Sequence, residues 1–261
     1  MKVCVYLSYI GLGANLLHLA YVHQLSKKYG PITIITLCKN LKDALRDDGA
    51  VEDVIIIDKK FNKLKNIFSF SLEIKKHKFK KIYIYYPSAR IVIACKLAGI
   101  KEVYHYPILK KKNLHLVNEA KKFTCKVLKI SDCKTFTNFQ INKERLLNIS
   151  SYFDKPKFNI VIGAGSSGPT TKWGVENYSK LINKLNKLDK FNFFVLCGPN
   201  EKNISSQIIN KTEKKNIVDL SDKSISEVIP FLVKADMYVG NDSFGSHISS
   251  QSGKPSLVIL L

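Results

Sequence analysis

Short apolar runs alternate along the whole chain with apolar residues spaced three and four apart, the pattern of buried strands followed by amphipathic helices. In the first half, Lys2–Leu7, Pro31–Leu37, Val54–Ile57, Lys81–Tyr85 and Glu102–Tyr104 read as strands. Ala14–Tyr29, Leu41–Asp48, Asn62–His77, Ser88–Ala98 and Leu116–Leu128 read as helices. The second half repeats the plan, with strands at Phe158–Ile162, Asn192–Leu196, Ile217–Asp219, Met237–Val239 and Ser256–Leu260. Its helices fall near Val175–Leu188, Asn203–Asn210, Ser224–Lys234 and Ser243–Ser252. Strand-helix alternation predicts an α/β protein with parallel sheets covered by helices. Two tandem Rossmann-like domains are expected, residues 1–150 and 157–261, joined through the polar, proline-closed stretch Asn148–Lys157. Ligands are expected in a cleft between the strand C-termini, where such sheets bind them. The final apolar strand stops without a helix to cover it, which predicts an incomplete C-terminal end.

Composition narrows the class. The 261 residues carry ample apolar content, and no run of apolar residues is long enough to span a bilayer. Met1-Lys2 and the apolar stretch to Val22 resemble a secretory leader, but Gly11, Gly13, Asn15 and His18 interrupt it and fit a strand-turn-helix start instead. Six scattered cysteines lack CxxC spacing and predict reduced core residues, with neither a disulfide framework nor a metal site. The formal charge of +21 comes almost wholly from lysine, in runs such as Lys59–Lys65 and Lys75–Lys81. That field suits an anionic membrane face or a phosphorylated glycolipid, or reflects solvated faces that drew lysine. No nucleic-acid motif accompanies it, so nucleic acid is not an expected partner.

The densest chemistry lies at Gly240-Asn241-Asp242-Ser243-Phe244-Gly245-Ser246-His247, where a strand turns into a helix. Ser243 and His247 are four apart and share one helix face, with Asp242 at its mouth. Helix capping alone would explain the acid and the hydroxyl; convergence with other loops favours a ligand site. One such loop is Gly163-Ala164-Gly165-Ser166-Ser167-Gly168-Pro169-Thr170-Thr171-Lys172-Trp173, rich in open backbone donors and hydroxyls, with Lys172 as a point charge. Another is Cys197-Gly198-Pro199-Asn200-Glu201, whose carboxylate could receive sugar or ribose hydroxyls or serve as a first-turn helix acid. In the first domain, Gly11-Leu12-Gly13 opens a helix after the first strand, a turn able to approach phosphate.

Taken together, these motifs resemble the heptosyltransferases, glycosyltransferase family nine, over essentially the whole chain. The resemblance implies a B-type glycosyltransferase fold and a nucleotide-diphosphate sugar as co-substrate, held mainly by the C-terminal domain. It implies inverting transfer without a metal or cofactor onto lipopolysaccharide core or a related anionic surface glycan. Such a protein would be cytoplasmic and peripheral on the inner membrane. By position, Asp242, Ser243 and His247 would contact the donor, Gly165, Ser166, Ser167, Thr170, Thr171 and Lys172 would surround its phosphates, and Glu201 would assist. Gly11 and Gly13 would form the acceptor or phosphate loop. Three departures stand out: Ala14 occupies the place of the family's aspartate base, Lys172 directly precedes Trp173, and Phe244 replaces a glycine. With Ala14 unable to take a proton, His18 is the nearest titratable candidate base and Asn15 an orienting neighbour. Two other readings are a nucleotide-sugar binder without turnover, and another two-Rossmann enzyme such as a nucleotide-sugar epimerase.

Overall fold

Val3–Leu7 (β1) is buried at every position, which for a parallel strand requires helices on both faces of its sheet. The computed structural model, which describes residues 2–62, 66–108, 115–153, 156–166, 172–213 and 216–260, supplies them in two compact units, Met1–Thr137 and Asn138–Leu261. After β1, unit 1 runs through α1 (Leu12–Leu16), α2 (Leu19–Tyr29), β2 (Ile32–Thr36), α3 (Leu41–Ala44), β3 (Val51–Ile56) and α4 (Ile67–Lys76). It finishes with β4 (Lys81–Ile84), α5 (Ala89–Leu97), β5 (Glu102–His105) and α6 (Leu116–Leu128). The five strands are parallel in the order β3-β2-β1-β4-β5. Tyr6, Ile35, Ile82 and Ile84 pack against Phe70 and Ile74 of α4 and Ile91 and Cys95 of α5 to make its core.

Unit 2 contains α7 (Lys143–Leu147), β6 (Phe158–Gly163), α8 (Val175–Asn186), β7 (Phe191–Leu196), α9 (Lys202–Asn210) and β8 (Ile217–Asp219). It continues through α10 (Ile225–Lys234), β9 (Met237–Asn241), α11 (Phe244–Gln251) and β10 (Ser256–Ile259). Its parallel order, β8-β7-β6-β9-β10, repeats that of unit 1 strand for strand. In both units the winding reverses beside the first strand, so the chain leaves neighbouring strand ends in opposite directions there and opens a crevice. In unit 2 that place is between β6 and β9. Ile160, Ile162, Phe193, Val195 and Val239 form the core with Tyr178 and Ile182 of α8 and Ile208 of α9.

Two expectations need adjustment. The helix read as Ala14–Tyr29 is interrupted at Leu17-His18, where the His18 N–H donates to the Asn15 carbonyl at 3.0 Å and tightens the turn. The stretch read as a linker, Asn148–Lys157, contains a 3-10 turn at Ser150–Phe153 within unit 2, with Phe153 stacked on Phe194 at 4.9 Å. Two aromatic anchors set in polar sequence explain why it packs. Among the described residues no helix is long and apolar enough to cross a membrane.

Candidate functional site

Beyond β6 the chain turns at Ala164-Gly165-Ser166, and beyond β7 at Cys197-Gly198, bringing two loops together at the C-terminal end of the unit 2 sheet. Glu201 stands where they meet. Its Oε1 accepts from the Ser166 N–H at 3.2 Å and pairs with Lys172 Nζ at 2.6 Å, while Oε2 accepts from the Gly198 N–H at 3.3 Å. Gly165 permits this arrangement, because a Cβ there would lie 2.5 Å from Glu201 Oε2 and 3.0 Å from the Cys197 Cα. The Glu201 and Lys172 side chains are 18% and 30% exposed. Burial pushes the neighbouring Cys197 thiol up to about 12, with Glu201 adding to the effect, so that sulfur is an inert wall.

Asn241, the last residue of β9, ties the third loop in. Fully buried, it donates from Nδ2 to the Ala164 carbonyl at 2.7 Å. Its Oδ1 accepts from the Trp173 N–H at 3.0 Å and the Tyr178 hydroxyl at 2.7 Å. The Trp173 ring stands edge-on to Tyr178 at 5.0 Å, which fixes the chain just beyond Lys172. Tyr238 lies across Gly163, where no side chain fits, and donates to the Asn241 carbonyl at 2.9 Å. Ser243 Oγ is 3.1 Å from the same phenol oxygen.

Ser243 occupies the N-cap position of α11, yet its side chain makes no capping bond to the helix. Asp242 is exposed, and its Oδ1 lies 3.8 Å from His247 Nε2. Burial lowers the His247 pKa from its ordinary value, and the Asp242 charge opposes this only in part. The structure therefore brings Gly165, Ser166, Lys172 and Glu201 into one bonded group, with Asp242, Ser243 and His247 at the head of α11 and Asn241 linking the loops. Ser167, Thr170 and Thr171 lie outside the described residues. Sequence reasoning read Asn241 only as part of the turn before the helix and did not single out Tyr178 and Tyr238. The available signal was an amide ending the apolar strand Met237-Tyr238-Val239-Gly240.

In unit 1, Gly11 is exposed with open space around its missing side chain, and Gly13 is half-buried. Asn15 and His18 are instead 2% and 1% exposed. Asn15 Nδ2 donates to the carbonyls of Tyr9 and Gly11 at 3.0 and 2.7 Å, and its Oδ1 accepts from the Thr36 hydroxyl at 2.8 Å. His18 Nδ1 lies 2.8 Å from the Ala14 carbonyl, and its ring stacks on Tyr9 at 5.0 Å. Both side chains hold the Tyr9–Ala14 turn from inside the unit.

A family profile described as glycosyltransferase family 9 (heptosyltransferase) matches residues 98–259. Among solved structures, a family 9 glycosyl transferase from Veillonella parvula is 16% identical with a TM-score of 0.76, covering 98% of this chain and 80% of its own. The E. coli ADP-heptose lipopolysaccharide heptosyltransferase II is 13% identical with a TM-score of 0.75, covering 99% and 84%. E. coli heptosyltransferase WaaC, solved with ADP-2-deoxy-2-fluoro heptose, is 14% identical with a TM-score of 0.74, covering 99% and 88%. Comparison with curated proteins finds no match. At these identities the structural likeness is one of fold, and it shows two Rossmann-like units of the B-type glycosyltransferase kind.

Proposed function

The chain belongs to glycosyltransferase family 9, and on that premise we propose that it moves a heptose-like sugar from a nucleoside diphosphate donor to an anionic glycolipid or surface-glycan precursor. Transfer is inverting and metal-independent in this reading, and unit 2 holds the donor. The observation that carries it is the Lys172–Glu201 pair, which joins the loops after β6 and β7, with the end of β9 tied to the same β6 loop through Asn241. Glu201 accepts hydrogen bonds from donor hydroxyls, while Lys172 and the α11 N-terminus face the diphosphate. Breaking the sugar-phosphate bond leaves negative charge on the departing nucleotide, and donors already fixed in place stabilise it without reorganising. Ser243, free of capping duty, and Asp242 with His247 hold the sugar or its phosphates. Asn15 and His18, buried as they are, act as positioning residues for the acceptor-side turn. The protein works at the cytoplasmic face of the inner membrane, held there peripherally. Titrating a panel of nucleoside diphosphate sugars with acceptor lipid tests the reading. Wild type should transfer, and Lys172→Ala should lose about a hundredfold in kcat/KM. Equal rates for the two proteins would sink the site assignment.

The second reading, a nucleotide-sugar binder without turnover, draws on Ala14 and on the burial of His18. It requires donor binding in the calorimeter together with no product from any acceptor, so the same panel separates the two.

A further inference from the structure

α6 ends at Lys129, which takes the left-handed conformation with φ 57°, and the Ile130 N–H then donates to the Cys125 carbonyl at 3.1 Å. This C-terminal turn sends the chain back along the helix it has just left. Asp132 returns far enough to pair with Lys121 Nζ at 2.6 Å, and the next residue places Cys133 Sγ 3.3 Å from Cys125 Sγ. Farther along, His23 Nδ1 meets Thr137 Oγ1 at 2.5 Å, and its Nε2 meets the buried carboxylate of Asp48 at 2.8 Å. The returning segment is thus fastened on both sides of Cys133 before any covalent link exists.

We propose that Cys125 and Cys133 form an oxidative modification site, an intramolecular disulfide closed by a hydroperoxide oxidant, which staples the segment leading into unit 2 onto α6. The two sulfurs stand 3.3 Å apart and would close to about 2.05 Å in the disulfide. Cys125 is partly exposed and Cys133 only 6% exposed, so the oxidant reaches Cys125 first. Burial, reinforced by Cys125, pushes the Cys133 thiol up to about 12, which disfavours it as the first nucleophile. In the first step Cys125 gives up its proton and its thiolate attacks the peroxide, the O–O bond breaks, and a sulfenic acid forms while the departing hydroxide takes that proton to become one water. In the second, Cys133 gives up its proton and attacks the Cys125 sulfur, the S–O bond breaks, and a second water leaves. Two thiols and one hydrogen peroxide become one disulfide and two waters, with two electrons passing from sulfur to oxygen. The site is independent of the sugar-transfer reading.

The test is stoichiometric hydrogen peroxide on the full chain, followed by free-thiol titration and a non-reduced peptide map. The titre should fall by two, one cross-linked pair joining Cys125 to Cys133 should account for the loss, and dithiothreitol should restore it. Cys4 and Cys95, wholly buried, should remain as thiols. Cys133→Ser should stop at the Cys125 sulfenic acid, trapped by dimedone; should that variant not fold, the wild-type map decides alone. Retention of both thiols, or bridging to another cysteine or a second molecule, overturns the proposal.

Discussion

A methyl group at position 165 would stand 2.5 Å from the Glu201 carboxylate and 3.0 Å from the Cys197 backbone, and only the carboxylate can move. Gly165→Ala should therefore displace Glu201 and loosen its pair with Lys172, weakening donor binding about tenfold, a loss of about 1.4 kcal/mol. Calorimetry checks it against Gly11→Ala, where the new Cβ enters open space and donor affinity should be unchanged. His247 sets a pH dependence. Because its folded pKa is lowered, the unfolded chain binds more protons whenever the pH falls below the ordinary value of 6.5. Its contribution is complete above that value and is lost as the medium becomes more acidic. Denaturant midpoints should thus drop on acidification below 6.5 more steeply in wild type than in His247→Gln; parallel curves would show that another group governs the slope.

At the scale of elements, β6 and β9 approach so closely at Gly163 and Gly240 that a Cβ on Gly240 would lie 2.4 Å from the Gly163 carbonyl oxygen. Since every atom in the way is backbone, Gly240→Ala should part the strands and cost about 3 kcal/mol by chemical denaturation. The ten strands of the described residues were each located in the sequence, the central β1, β2, β6 and β7 most plainly because they are buried and mostly apolar. The break at Leu17-His18 was not, since it is set by a buried histidine bonding back to Ala14 and stacking on Tyr9. Helix α7 was hidden for a related reason: the five residues Lys143–Leu147 form no apolar face, and Arg145 reaches the Ser226 carbonyl, a partner 81 residues away. The loops of the candidate site could be located from strand ends, and Lys172 and Glu201 were named from the same pattern. Their pairing depends on the return of β7 beside β6, and the role of Asn241 on that of β9, which are facts of topology and not of local spacing.

For the molecule as a whole, α4 and α5 cover one face of the unit 1 sheet and leave Phe68, Leu72, Ile93 and Leu97 between 47% and 73% exposed. Lys75, Lys76 and Lys96 occupy the last turns of the same helices, in a chain of net charge +21. Apolar side chains beside lysines suit an anionic bilayer surface. Co-sedimentation should recover the protein with vesicles containing phosphatidylglycerol and leave it behind with phosphatidylcholine alone. Phe68→Ser with Leu97→Ser should reduce binding about tenfold or more. Indifference to lipid charge would remove the membrane from the proposed function. The Asn241 tie, finally, bears on the order in which the protein acquires its shape. The amide joins Ala164 across 77 residues, a contact whose closure carries the loop entropy of the whole intervening chain. We propose that so non-local a bond forms after the rate-limiting step of folding. Asn241→Ala should accordingly hasten unfolding while leaving the refolding rate nearly unchanged, so this residue governs how long the folded protein persists more than how quickly it forms.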